Sequence, residues 1–263
     1  MNRTSSMDIM LRSLHLPAIQ REYGDMAKQA ESKNWSFEQY LKVLLEQEIT
    51  ERTERRIERL LKRSGLPEGK NLATLDQKLI PVKVRRQIPA LIEGGFVDRA
   101  ENVLAFGLPG RGKTHLLVAI ARELVMNRGC PVLFTSTHQL VEQLLIAKRE
   151  LEIEKMFRKL DRFEVVVLDD IGYVQQSREE MEVLFTFLSE RYERRSLMIT
   201  SNLVFSKWDK IFKDPMTTAA AIDRLVHHST ILELDNDSYR AKQANKQKEM
   251  VNNGTEMQVH QGC

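Results

Sequence analysis

One octapeptide in this chain has the residue types and spacing of a phosphate-binding loop: Gly, four residues, then Gly-Lys-Thr. With the residue that follows it, the stretch comprises Gly107, Leu108, Pro109, Gly110, Arg111, Gly112, Lys113, Thr114 and His115. In such loops the lysine contacts the β- and γ-phosphates of a nucleotide, and the hydroxyl of the last residue ligates Mg²⁺. We therefore predict that Lys113 binds phosphate and that Thr114 binds the metal ion.

The residues around this loop predict the strand and the helix that phosphate binding requires. Residues 102–106 form a short apolar run typical of a buried strand, and residues 115–124 have a helical pattern. A loop between them directs several backbone N–H groups to one place, where the helix dipole adds positive potential. Gly107 and Gly112 are expected to be glycines because a Cβ atom would obstruct the turn or the phosphate. The alternative is a chance match in a loop.

A second stretch, residues 164–170, is an apolar strand that ends in two carboxylates, Asp169 and Asp170. Ligands of open α/β sheets bind at the carboxyl ends of the strands. We predict that Asp169 holds the Mg²⁺ shell through water, and that Asp170 orients or deprotonates the attacking water. The alternative is a buried strand with a polar end, which gives no packing reason for two adjacent acids.

Two further polar residues belong to later elements. Asn202 follows the apolar run 197–200 and is predicted to position the water or to sense the γ-phosphate; the alternative is an asparagine that forms a turn. Arg224 lies on a predicted helix, and its guanidinium is expected to stabilise the transferring phosphoryl group of a neighbouring subunit. The alternative for Arg224 is a surface ion pair. His227 and His228 are interpreted as structural.

Composition excludes several classes of protein. The chain has 263 residues with 40 basic and 37 acidic side chains, a net charge of +3, so any contact with DNA depends on local patches. Its two cysteines, Cys130 and Cys263, cannot form a zinc site or a disulfide framework and are expected to be reduced thiols in the cytoplasm. No apolar run has the length of a membrane span or the pattern of a signal peptide, so no membrane partner is expected.

Hydrophobic periodicity predicts two kinds of structure along the chain. Residues from about 7 to 100 are expected to be helical, with Ser36 as the N-cap of a helix whose apolar face is Leu41, Leu44, Leu45, Ile49, Ile57, Leu60 and Leu61. Residues 67–81 are expected to be a linker. From residue 102 onward, strands alternate with helices, which predicts an α/β fold with a parallel sheet flanked by helices.

Charged helices in both regions leave two interpretations open. The polar face of the helix after Ser36 carries acids and bases at i,i+4 spacing, such as Glu48–Arg52 and Glu51–Arg55, and can be a solvated face or a surface that binds DNA or a partner. The candidate DNA-binding cations are Lys148, Arg149, Lys155, Arg158 and Lys159, supplemented by Arg55, Arg56 and Arg59.

A series of spaced motifs, covering about residues 7 to 240, resembles a known family. The motifs are 107–114 followed by His115 and Leu116, then 168–173, 191–194, 199–202, Trp208, 223–225 and 238–240. In this order they resemble the IstB-like helper ATPases of insertion-sequence transposition, relatives of the DnaC helicase loader and the DnaA initiator within the AAA+ class. Two residues depart from the pattern: Arg111 stands where the family usually has a small Thr, and Val204 where it often has Pro.

The resemblance implies a fold, cofactors and partners. It implies a five-stranded AAA+ sheet sandwiched by helices, a small all-α N-terminal domain and a helical insertion near residues 138–160. The chain ends soon after the last predicted strand, so it is expected to have no C-terminal lid domain. The resemblance assigns Walker A, Walker B, sensor-1 and arginine-finger roles to the residues named above, with ATP and Mg²⁺ as cofactors. The expected function is ATP-dependent oligomerisation on double-stranded DNA, recruitment and stimulation of a cognate transposase, and resetting by ATP hydrolysis.

Two other functions are alternatives to the expected one. The alternative function is a DnaC-like loader of a replicative helicase; a small-molecule kinase would need a substrate-binding lid, for which the sequence has no segment.

The predicted regions are 1–66, a helical DNA- or partner-binding domain; 67–100, a linker and lead-in helix; 101–240, the ATPase domain; and 241–263, a polar tail expected to be disordered. Arg111 is expected to place a long cation beside the phosphates.

Overall fold

The structure is a computed structural model that describes residues 6–172, 177–203, 207–208 and 215–235. The contacts of the chain divide it into two compact units, the first ending at Arg59 and the second beginning at Leu60. The predicted motif at 238–240, the tail 241–263, Tyr173 and Val204 lie outside the described residues. The prediction that the chain has no C-terminal lid domain concerns residues after 235, which also lie outside the described residues. The predicted boundaries at 66, 100 and 240 stay predictions.

The first unit consists of helices, as expected. They are α1 (Ser6–Ser13), α2 (Pro17–Ser32) and the greater part of α3 (Phe37–Ser64). Pro17 starts α2 at a position where its missing N–H costs nothing. The Oγ atom of Ser36 accepts a hydrogen bond of 3.1 Å from the backbone N–H of Gln39, so the predicted N-cap of α3 is present.

The predicted apolar face of α3 is wrong in part within the first unit. Leu44 is buried with Leu11 and Ile19, but Leu41, Leu45 and Ile49 are exposed by 54%, 43% and 64%. Glu48, which the sequence placed on the charged face of this helix, is buried. The reason is that α2 covers only the narrow side of α3 on which Leu44 and Glu48 lie one turn apart.

The second unit is built on a five-stranded parallel sheet with the order β2-β3-β4-β1-β5. Its strands are β1 (Asn102–Phe106), β2 (Val132–Ser136), β3 (Val165–Asp169), β4 (Ser196–Ser201) and β5 (Ser229–Glu233). The predicted α/β fold is confirmed, and all five strands fall where the apolar runs predicted them. Near-continuous apolar runs are typical of parallel strands that are covered on both faces.

Helices cover both faces of this sheet, because alternate residues of each strand point to opposite sides. Besides the last residues of α3, the helices in the described part of the unit are α4 (Val82–Glu93), α5 (Gly95–Asp98), α6 (Lys113–Arg128), α7 (Thr137–Arg149), α8 (Ile153–Leu160), α9 (Arg178–Arg191) and α10 (Pro215–Val226). Val103 and Ala105 pack with α4 and α6 on one face. Leu104 and Phe106 pack with α7, α9 and α10 on the other face.

The segment expected to be a linker, 67–81, packs on the second unit. It contains a single 3₁₀ turn, Gln77–Leu79, and buries Leu75 and Ile80 in the core that also contains α6. The guanidinium of Arg122 donates a hydrogen bond of 3.1 Å to the carbonyl of Pro67. The polar composition of the segment 67–81 did not indicate these two core residues.

Among the described residues, no helix is both long and apolar enough to cross a membrane.

Candidate nucleotide-binding site

The loop between β1 and α6 depends on two glycines for different reasons. Gly107 has φ = 152° and lies so close to the carbonyl of Leu234, just after β5, that a Cβ atom would collide with it. Gly112 has open space around it but adopts φ = 88°, where a side chain is strained. At position 107 a Cβ atom would thus meet the chain after β5. The expected obstruction of a phosphate at either glycine stays a prediction.

A cavity of about 490 Å³ lies beside this loop and gathers most of the predicted site residues. Its walls include 109–115 of the loop, both carboxylates Asp169 and Asp170, and Asn202. Gly107, Leu108 and Arg224 do not line it. Parallel strands end at the same edge of a sheet, and this brings side chains almost 100 residues apart to one place.

The ammonium group of Lys113 is held at the floor of the cavity. Lys113 is buried, and its Nζ atom donates to the carbonyls of Gly107 at 2.8 Å and Leu108 at 3.1 Å. It also lies 2.5 Å from the Oδ1 atom of Asn202. A cation in this position is placed to attract phosphate groups from the cavity.

Oxygen atoms of three side chains converge next to Lys113. The Oδ1 atom of Asp169 accepts hydrogen bonds from the hydroxyls of Thr114 at 2.7 Å and Thr200 at 2.8 Å. Hydroxyl and carboxylate oxygens are ligands that Mg²⁺ prefers, so this group fits the metal site predicted for Thr114 and Asp169. Thr200 was not among the predicted site residues, although a polar residue at the end of an apolar strand run indicates such a position.

Asp170 adopts a strained conformation that points its carboxylate at Asn202. Its φ angle is +63°, and its backbone N–H donates to the Thr200 hydroxyl at 2.7 Å. Its Oδ1 atom accepts a hydrogen bond of 2.8 Å from the Nδ2 atom of Asn202. Burial raises the pKa of the Asp170 carboxyl, neighbouring Asp169 raises it further, and Lys113 opposes the shift. Asn202 thus connects the lysine of the loop to the second carboxylate.

The wall opposite the phosphate loop comes from the supposed linker. Lys70, Thr74 and Asp76 contribute polar groups there, and Leu75, Leu79 and Ile80 contribute apolar surface. The Nε2 atom of His115 lies 3.1 Å from both the Asn71 carbonyl oxygen and the Thr74 hydroxyl, and so ties this segment to the first turn of α6. No pattern in the sequence predicted this wall.

The two arginines of the predicted site have contacts of their own. Arg111 was expected to place a cation beside the phosphates, and it lines the cavity. Its guanidinium donates a hydrogen bond of 3.3 Å to the carbonyl of Leu234. The guanidinium of Arg224 lies 4.9 Å from the ring centre of Phe185, and its Nη1 atom is buried without a hydrogen-bond partner among the described residues.

The candidate DNA-binding cations are divided between several places. Lys155, Arg158 and Lys159 line a cleft of about 610 Å³ between α7 and α8. Arg162, which was not among the predicted cations, also lines it. Lys148 and Arg149 do not line it, and Lys148 forms an ion pair of 3.1 Å with Glu182.

The other candidate cations, Arg55, Arg56 and Arg59, belong to the first unit. There Arg55 pairs with Glu51 at 2.7 Å, and Arg52 pairs with Glu48 at 3.4 Å.

The fold and the site together define a class of protein. A phosphate loop follows β1, and the adjacent acids lie at the end of β3, Asp169 as its last residue and Asp170 directly after it, at the same edge of a parallel sheet. This arrangement is that of a P-loop nucleotide-binding protein.

Comparison with known proteins gives the family. The model of the IstB-like ATP binding protein family matches residues 9–247, and the chain belongs to that family. An insertion sequence ATP-binding protein of Sinorhizobium fredii is 43% identical over 92% of this chain and 81% of its own length. Another, of Pseudomonas aeruginosa, is 35% identical over 95% of this chain and 94% of its own length. The predicted family, that of the IstB-like ATP binding proteins, is confirmed.

Solved structures support the AAA+ fold. The DnaC helicase loader matches with a TM-score of 0.51 and 21% identity, over 64% of this chain and 98% of that chain. AMPPCP-bound DnaA from Aquifex aeolicus matches with a TM-score of 0.52 and 16% identity, over 71% of this chain and 56% of that chain. At these identities the likeness concerns the fold, and the predicted AAA+ architecture is confirmed.

Proposed function

We propose that the chain hydrolyses ATP with Mg²⁺ in the 490 Å³ cavity and uses this reaction to control a transposition complex on DNA. The observation that carries the proposal is the convergence of Lys113, Thr114, Asp169, Asp170 and Asn202 at one edge of the sheet. Membership of a family of ATP-binding proteins and the insertion-sequence names of the relatives support it.

The cavity walls suggest how ATP lies. Backbone N–H groups of the loop and Lys113 bind the phosphates, and the apolar wall of Leu75, Leu79 and Ile80 receives the base. Bound Mg²⁺, held by Thr114 and through water by Asp169, would neutralise phosphate charge. Asn202 hydrogen-bonds to both Lys113 and Asp170, so a phosphate that attracts Lys113 also alters the surroundings of Asp170.

Asp170 has the position and the environment of a base that activates water. Its raised pKa makes it a better proton acceptor than an exposed aspartate, and Asn202 orients one of its oxygens. Arg224 does not line the cavity of its own subunit, which is compatible with action on the γ-phosphate of a neighbour in an oligomer.

The proposal extends to partners. ATP binding assembles the subunits on double-stranded DNA, the assembly recruits and stimulates the cognate transposase, and hydrolysis resets it. The helicase-loader alternative rests on fold similarity alone, because the DnaC match is only 21% identical. Capture of candidate transposases by the chain, with and without ATP, tests the recruitment step.

A mixing experiment tests the shared active site. Lys113→Ala should abolish ATP binding and hydrolysis, and Arg224→Ala should bind ATP but hydrolyse it slowly. An equal mixture should recover about a quarter of the parent rate, because half of the sites keep Lys113 and half of their neighbours keep Arg224. The exposed Arg178→Ala serves as the matched control and should retain the parent rate.

Two outcomes would contradict the proposal at different points. ATP binding by Lys113→Ala at the parent affinity would show that the nucleotide site is wrong. A mixture no more active than its two components would leave the nucleotide site intact and remove the role of Arg224 across the subunit interface.

A further inference from the structure

Two imidazoles and a carboxylate meet at the surface of the second unit, away from the nucleotide cavity. His227 and His228 directly follow α10, and Glu193 lies in the turn between α9 and β4. One ligand atom from each residue lies within 4.8 Å of the others, and all three side chains are exposed. None of the three residues lines the nucleotide cavity.

The backbone holds all three residues in place. Glu193 adopts φ = +56°, a conformation that is unusual for a residue with a side chain. The turn around it is fixed by buried Arg191, whose guanidinium donates to the carbonyls of Leu160, Phe163, Glu164 and Ser196 at 3.1 to 3.3 Å. The N–H of His227 donates to Asp223 at 2.9 Å, and the carbonyl of His228 accepts from Asn102 at 2.8 Å.

The donor set selects a class of cation. Two neutral imidazoles with one carboxylate are suited to Zn²⁺ and to the other late divalent transition metals, whereas Mg²⁺ prefers oxygen ligands alone. The hydroxyl of Tyr192 lies 3.2 Å from the Nδ1 atom of His227. Ligand histidines usually have such an outer partner on their second ring nitrogen, which fixes the ring orientation.

We propose that Glu193, His227 and His228 form a binding site for a Zn²⁺-class divalent cation. The three ligands leave at least one coordination position open to water or to a group from another molecule. The bound ion joins the C-terminal end of α10 to the turn after α9. Arg224 lies on α10 one turn before the two histidines and contacts Phe185 of α9. The ion therefore stabilises the packing of α10, which carries Arg224, against α9.

The test measures metal binding directly and without nucleotide. The full chain, purified without a histidine tag, is titrated with Co²⁺ and Zn²⁺ and followed by the visible absorption of Co²⁺ and by calorimetry. One ion per chain is expected. His227→Ala and His228→Ala should each weaken binding more than tenfold, Glu193→Gln should weaken it as well, and Tyr192→Phe should do so by roughly tenfold.

Matched variants separate this site from other metal-binding groups. His138→Ala removes another exposed histidine, and His260→Ala with Cys263→Ser removes the histidine and the cysteine of the C-terminal tail; neither should change the affinity. Lys113→Ala should bind the metal like the parent, so failure of the proposed ATPase function leaves this result unaffected. Circular dichroism checks that the variants fold. Stoichiometric binding by His227→Ala/His228→Ala, or no binding by the parent, would overturn the proposal.

Discussion

At the scale of single residues, the site links strain to chemistry. Asp170 combines a left-handed backbone with a carboxylate whose pKa is raised by burial and by Asp169. Both features destabilise the folded state and persist where the surrounding structure holds them. A residue of this kind is expected to contribute to function at some cost in stability.

Replacing this carboxylate should therefore separate stability from activity. Asp170→Asn should keep ATP binding, lose hydrolysis, and raise the melting temperature of the nucleotide-free protein by roughly 1–3 °C at pH 7. The pKa of the Asp170 carboxyl is raised in the folded chain, so the folded chain binds this proton more tightly than the unfolded chain does. Stability therefore falls as the pH rises from the carboxyl pKa of the unfolded chain to that of the folded chain. The gain in the variant should thus shrink as pH falls towards the ordinary carboxyl pKa.

The exposed Asp25→Asn is the control for this measurement, because Asp25 forms a surface ion pair with Lys28. Scanning calorimetry at several pH values and a phosphate-release assay give the two readouts. Hydrolysis at the parent rate by Asp170→Asn would exclude Asp170 as the base.

At the scale of elements, one buried acid organises the first unit. The Oε2 atom of Glu48 on α3 accepts from the backbone N–H groups of Ala18 at 2.8 Å and Ile19 at 3.3 Å, at the start of α2. A carboxylate there satisfies free N–H groups and interacts favourably with the helix dipole. The pair Glu48–Arg52, predicted as a surface ion pair, therefore includes a tertiary helix cap.

Removing this cap should destabilise the helical unit. Glu48→Ala leaves two buried donors without an acceptor, which is expected to cost about 2–3 kcal/mol. Limited proteolysis and urea unfolding should both show the loss within residues 6–59. Glu46→Ala, on the same helix but exposed and paired with Lys42 at 3.8 Å, should change stability by less than about 0.5 kcal/mol. Equal effects from the two variants would contradict the capping role.

At the scale of the whole molecule, a net charge of +3 gives little general affinity for DNA. The cleft between α7 and α8 collects four cations in one place, although Lys155 pairs with Glu152 at 2.9 Å and Arg158 with Glu154 at 3.6 Å. Exposed pairs of this kind contribute little, so phosphates can replace the acids. An oligomer would multiply such contacts along a duplex.

This leads to a prediction about salt and position. Arg158→Ala/Lys159→Ala should weaken ATP-dependent DNA binding about equally on all sequences and flatten its salt dependence by roughly one unit per lost phosphate contact. Lys83→Ala/Arg86→Ala removes the same charge from the exposed side of α4 and should leave the salt slope unchanged. Filter binding at several salt concentrations compares them, and identical curves for both doubles would place the DNA surface elsewhere.

The sequence by itself determined the sheet, the phosphate loop and the two acids. Each of these depends on local pattern: an apolar run of strand length, glycines at fixed spacing, and polar residues where strands end. Because parallel strands end at the same edge of the sheet, the residues at and after their ends meet there. These residues are Lys113, Asp169, Asp170 and Asn202.

Only the tertiary structure decided which side of α3 is buried, what the segment 67–81 does, and why Gly107 is a glycine. Burial of Glu48 rather than Leu41 or Ile49 depends on where α2 packs, and α2 is not part of the pattern of α3. The second wall of the cavity depends on His115 reaching Asn71 and Thr74, across more than 40 residues of chain. Local sequence carries no information about such partners, because packing energy depends on which distant surfaces meet.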